Sequence, residues 1–142
     1  MLFRSPLPIG KGELLLKTSA KNTKKVAILA FGSMLAPALQ AASILGCSVA
    51  NMRFIKPLDI DLIKQLASTH ELIVTIEENA LMGGAGSAVL EAMQALNLNN
   101  AILCLGLPDT FIEHGVHETM LAECGLDSSG IVQSIQQKLA LI

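Results

Sequence analysis

Charge is what this chain has least of. Asp, Glu, Lys and Arg together make up only 15% of its 142 residues, against roughly a quarter in ordinary soluble domains. Hydrophobic residues reach 51% and the mean hydropathy is +0.54, so part of the surface is expected to be apolar. No uninterrupted apolar run approaches the roughly 18 to 20 residues that a membrane-spanning helix needs, which favours a protein interface over a lipid one. A basic face is missing too. The formal net charge is −2, which argues against nucleic acid, because binding phosphates requires clustered cations. The group Lys21, Lys24 and Lys25 falls in a short polar turn and reads as solvated.

Paired cysteines are likewise lacking. Cys47, Cys104 and Cys124 are odd in number, far apart and never in a C-x-x-C arrangement, so they read as buried, reduced thiols. With no charged-then-apolar leader at the N-terminus, a cytoplasmic location is expected. His114 and His117 form an H-x-x-H pair, but only Glu113 and Glu118 stand near as further ligands, and a metal site is not expected. There is no nucleotide fingerprint, no phosphate-cradling loop with lysine and no Ser-His-Asp set. No catalytic, cofactor-binding or metal residue is assigned.

What is present is a regular alternation of strand and helix signals in a length that suits one domain. The chain is organised around residues 74–89. An apolar, β-branched run at 72–76 is stopped by Glu77 and Glu78, and Gly83, Gly84 and Gly86 then open an amphipathic helix reaching about Leu96. Glycines there either bring free N–H groups to a helix start where an anion can sit, or let helix and sheet pack closely. Close packing is the preferred reading. Met82 and Met93 are expected as core filler.

Earlier in the chain, residues 1–8 carry two prolines and no periodicity and read as a linker remnant, with the domain at 9–142. Strands are expected at 12–18 and 26–31, joined by a polar turn whose length suits antiparallel pairing. A helix follows at 34–45, ended by Gly46, then a strand at 48–52. Pro57 precedes Asp59, which caps a helix ending near His70, itself read as a C-terminal cap. After the central stretch come a strand at 101–105, broken by Gly106, Leu107 and Pro108, and an irregular loop from Asp109. A short helix at 116–124 and a last one capped by Asp127 or Ser128 close the chain.

Such alternation predicts an α/β fold, a three-layer αβα sandwich around a mainly parallel five-stranded sheet with one antiparallel edge strand. In such sheets ligands gather beyond the carboxyl ends of the strands, where Ser33, Arg53, Glu77, Glu78, Asn79 and Asp109 fall. Adjacent residues of a strand point to opposite faces, so Glu77 and Glu78 are not expected to work as a paired acid and base. One of them is expected to cap a helix or pair with Arg53.

Four motifs, in order, carry a resemblance: Met52-Arg53-Phe54-Ile55-Lys56-Pro57-Leu58-Asp59, the Val74 to Val89 stretch, Gly106-Leu107-Pro108-Asp109-Thr110-Phe111-Ile112-Glu113-His114-Gly115, and Glu123-Cys124-Gly125-Leu126-Asp127. Together they make the chain resemble the transketolase-like C-terminal domain of the 1-deoxy-D-xylulose-5-phosphate synthases. The resemblance implies a transferase that condenses pyruvate with glyceraldehyde 3-phosphate, loses carbon dioxide and feeds isoprenoid and thiamine synthesis. It also implies that thiamine diphosphate and magnesium are held by preceding domains, so this part alone is expected to be inactive. Its partners would be those domains and a second subunit, with self-association when they are removed. Arg53, Glu77, Glu78, Asn79, Gly83, Gly84, Gly86, Asp109, Glu113 and His114 become candidates for interdomain contact or loop ordering. Two departures stand out: Asn51 replaces a usual aspartate, and Phe3-Arg4-Ser5-Pro6 does not reproduce the family's R-Y-P-R-G run. A free-standing anion-binding module and the corresponding domain of a 2-oxoacid dehydrogenase subunit are the competing readings.

Overall fold

The computed structural model describes residues 6–18 and 25–142. Lys21 and Lys24 of the lysine group, and Phe3, Arg4 and Ser5 of the N-terminal run, lie outside the described residues. In chain order the elements are β1 (Glu13–Leu16), β2 (Val26–Ala30), a 3-10 turn (Gly32–Met34), α1 (Leu35–Leu45), β3 (Ser48–Asn51), α2 (Ile60–Ala67), β4 (Leu72–Ala80), α3 (Ala85–Ala95), β5 (Ala101–Leu107), α4 (His117–Glu123) and α5 (Ser128–Leu139).

They form one five-stranded sheet of order β1-β3-β2-β4-β5. The pairs β3 with β2, β2 with β4 and β4 with β5 are parallel, and β1 runs antiparallel at the edge. The pleat explains the layers. Along β2, Val26, Ile28 and Ala30 face Ala38, Ala41, Ile131 and Ile135 of α1 and α5, whereas Ala27 and Leu29 face Leu62, Ile63, Val89 and Met93 of α2 and α3. A strand covered on both sides reads as a continuous apolar run, as β2 does.

Local signals place the helix ends. Asp59 accepts the Leu62 N–H at 3.1 Å and caps α2, and Asp127 accepts the Gly130 N–H at 2.9 Å and caps α5. Helix α1 ends at Gly46, which takes the left-handed conformation (φ 70°) that costs a residue with a Cβ about 1 to 2 kcal/mol.

Several expectations are corrected. β1 pairs with β3 rather than with β2, because both edges of β2 are already taken by β3 and β4. Glu77 and Glu78 do not stop β4, which continues to Ala80, and Gly106 and Leu107 lie inside β5. Between the pairs Ile76–Leu105 and Ala80–Leu107 the register slips, with four steps on β4 against two on β5, so residues 77–79 bulge opposite Gly106. Ladder pairing thus outlasts the change in polarity. Met93 is core, but Met82 is 76% exposed. Cys47 is buried, and burial pushes its thiol up to about 11. Cys104 and Cys124 are only half-buried, and all three thiols are free.

Candidate functional site

At the end of β4 the pleat sends two neighbouring carboxylates to opposite sides. Glu77, 4% exposed, turns under the start of α3 and accepts the Ala85 N–H with Oε2 and the Gly86 N–H with Oε1, each at 2.7 Å. A carboxylate against the free N–H groups and positive end of a helix is a charge-assisted cap. The approach is only possible with glycine at 84 and 86. A Cβ on Gly84 would lie 2.3 Å from Glu77 Oε2 and 2.6 Å from the Ala80 carbonyl oxygen, and one on Gly86 would lie 2.8 Å from Thr75 Oγ1. Gly83 (φ +77°) makes the turn into the helix and donates its N–H to Ser87 Oγ at 3.1 Å. The preferred reading, close packing, is what the geometry has, and the anion at the helix start is the protein's own side chain. Beside it, Thr75 Oγ1 is buried without a hydrogen-bond partner.

Glu78 points outward. Ser33, after β2, donates its hydroxyl to Oε2 at 2.5 Å, and His117 Nε2 at the start of α4 donates to Oε1. These two contacts, the Ser33 hydroxyl first, hold the Glu78 carboxyl below its ordinary range against a smaller opposing effect of burial. Arg53, in a left-handed conformation (φ 60°), pairs with Glu13 of β1, so neither glutamate of β4 is its partner.

The other candidates scatter around two clefts at this end of the sheet. His114 lines one of about 350 Å³ together with Glu78, Leu107, Ile112, His117 and Met120. Asn79 and Asp109 line a second of about 510 Å³ with Phe111 and Ile112. Asp109, Glu113 and His114 are exposed. The backbone of Asn79 packs where a Cβ on Gly106 would meet its carbonyl oxygen at 2.9 Å, which is the close approach that Gly106 serves inside β5. At the opposite end of the sheet, His70 Nδ1 donates to the Leu66 carbonyl at 2.8 Å, and Nε2 faces Ser48 Oγ at 2.8 Å, so it caps α2 as its position suggested.

Sequence reasoning missed the pairing of His117 with Glu78 and the part of Ser33. Their separation along the chain leaves no periodic trace, and the only available signal was that Ser33 and Glu78 both fall at the carboxyl ends of strands of one sheet. Among the described residues, no three His, Cys, Asp or Glu side chains come together as a metal-binding group. Glu77 occupies the N–H groups of the helix start, so the residues present do not fit thiamine diphosphate with magnesium by themselves. No helix among the described residues is long and apolar enough to cross a membrane.

Residues 17–131 match the family described as transketolase, C-terminal domain. The chain belongs to this family. Among curated relatives of this transketolase C-terminal domain, the 1-deoxy-D-xylulose-5-phosphate synthase of Methylobacillus flagellatus is 68% identical over 133 residues, which is 94% of this chain and 21% of that protein. The synthase of Paraburkholderia xenovorans is 56% identical over 135 residues, again 21% of its length. The chain therefore spans about a fifth of the curated relatives it matches. A solved split gene transketolase, described as an inactive beta4 tetramer, superposes with a TM-score of 0.81 at 31% identity, covering 95% of this chain and 43% of that one.

Proposed function

We propose that this transketolase C-terminal domain serves as the C-terminal domain of a 1-deoxy-D-xylulose-5-phosphate synthase. The observation that carries the reading is the 68% identity to a synthase of that name, sustained over 94% of the chain. The complete enzyme would join pyruvate to glyceraldehyde 3-phosphate with loss of carbon dioxide, in the cytoplasm. Thiamine diphosphate and magnesium would be held by its other domains, with residues 9–142 as this domain and 1–8 as the approach to it.

On this reading the domain contributes assembly rather than reacting groups. Its carboxyl-end loops expose Met82 (76%), Phe111 (107%) and Val116 (67%), apolar groups of the kind that protein interfaces cover. Arg53, Glu77, Glu78, Asn79, Asp109, Glu113 and His114, with Gly83, Gly84 and Gly86, shape these loops for contact with neighbouring domains and a second subunit. The test is a chimera in which this chain replaces the matching fifth of the Methylobacillus flagellatus synthase. Product formation from pyruvate and glyceraldehyde 3-phosphate within about tenfold of the parent is expected. A chimera that folds and assembles but makes no product would overturn the assignment.

A further inference from the structure

Between β5 and the turn into α5, residues 108–123 form an arm in which no residue is buried. Its backbone hydrogen bonds are largely internal: Met120 N–H to the Val116 carbonyl at 3.0 Å, and Cys124 N–H to the Met120 carbonyl at 3.1 Å. Leu121 packs against the core under α1 and α5, whereas Ile112 and Met120 line, with Leu107, a cleft of about 350 Å³, so the apolar packing of the arm is concentrated near its C-terminal end. Among the described residues, the polar side-chain tether from this arm to the sheet is the hydrogen bond of His117 Nε2 to Glu78 Oε1. Ser33 holds the other oxygen of the same carboxylate.

We propose that Glu78 is a positioning residue: through His117 it straps the 108–123 arm across the carboxyl end of the sheet, and the arm swings as a unit when that pair is broken. The strap sets where Phe111 and Val116 stand, and these are the exposed apolar groups that the proposed synthase domain would offer to its neighbours. The proposal rests on that reading only for its consequence. The strap itself is a property of this chain and is testable without catalysis, so its failure and the failure of the synthase assignment are distinguishable.

The geometry favours a discrete hinge over general softness. The arm is anchored at one end by the ladder of β5, where Leu81 donates its N–H to the Leu107 carbonyl at 3.1 Å, and at the other by Leu126, whose N–H meets the Leu121 carbonyl at 2.8 Å. Leu126 is itself 1% exposed and belongs to the core under α5. The charged neighbours of the tether, Glu113 and Glu118 with the imidazole of His114, are all exposed and make no ion pair with the sheet among the described residues.

Amide hydrogen exchange, followed by mass spectrometry on the chain at neutral pH, tests this. In Glu78→Gln and in His117→Gln, peptides from 110–124 should exchange about two- to fivefold faster, the range a solvent-exposed polar contact supports. The double variant should be no faster than either single one, because both remove the same contact. Peptides from β4 and α3 should be unchanged. Unaltered exchange in the arm would overturn the proposal, as would acceleration spread equally over β4 and α3, or a double variant whose effect is the product of the two. Should Glu78→Gln fail to fold, His117→Gln, which alters only the exposed arm, decides the question alone.

Discussion

Glu77 and Glu78 are neighbours in sequence and opposites in use. The first is buried and closes the start of α3 with two short hydrogen bonds; the second stands at the surface and reaches across to Ser33 and His117. One makes the junction of strand and helix rigid, and the other ties down the 108–123 arm. The difference comes from the pleat, which sends alternate side chains to opposite faces, and from what each face meets. On one side it is a helix N-terminus with glycine at 84 and 86, and on the other it is solvent and an arm without a buried residue. A charge is retained inside only where donors meet it, whereas outside it contributes little and is screened.

That contrast can be broken from the inside first. Gly84→Val forces a side chain to within 2.3 Å of Glu77 Oε2 and should lower unfolding stability by about 3 kcal/mol or more in urea titration. Glu77→Ala leaves two buried N–H groups without an acceptor and should cost about 2 to 3 kcal/mol by the same measurement. Thr75→Val removes a buried hydroxyl that has no partner at nearly constant shape, and should raise stability by up to about 1 kcal/mol. On the outer side, Glu78→Gln should cost less than about 1 kcal/mol.

A pH dependence follows from the same group. The Glu78 carboxyl is held below its ordinary range by Ser33 and His117. A group with a depressed folded value stabilises the protein fully above its unfolded value, and that contribution is lost as pH falls through the folded one. Thermal unfolding of the wild type should therefore lose slightly more stability than Glu78→Gln between neutral pH and the acid side of the carboxylate range. Equal losses would mean that the outer carboxylate is not engaged in solution.

Much of the fold was legible because it is periodic or locally signalled. The continuous apolar run of β2, the capping Asp59 and Asp127, and Gly46 each announce an element, and the alternation of elements implies the parallel sheet. The partner of β1 was not legible, since the short polar sequence between β1 and β2 reads equally well as a hairpin connection. What excludes it is that β2 is already flanked on both sides. The ends of β4 and β5 were misjudged because polarity at Glu77 and glycine at Gly106 signal a stop, while pairing across the bulge continues the ladder. At the site, opposite directions for Glu77 and Glu78 could be read from the strand, but their partners could not. Arg53 illustrates the limit: its charge suggested a β4 glutamate, and the fold gives it Glu13.

The central claim is that Glu77 closes the start of α3, and on the proposed reading this end of the sheet orders loops instead of holding a phosphate or diphosphate there. Calorimetric titration of the chain with inorganic phosphate, and with thiamine diphosphate plus magnesium, tests it directly. No saturable heat at concentrations up to about 1 mM is predicted. A micromolar dissociation constant for either, abolished by a substitution at Gly84 or Gly86 that leaves the chain folded, would contradict it.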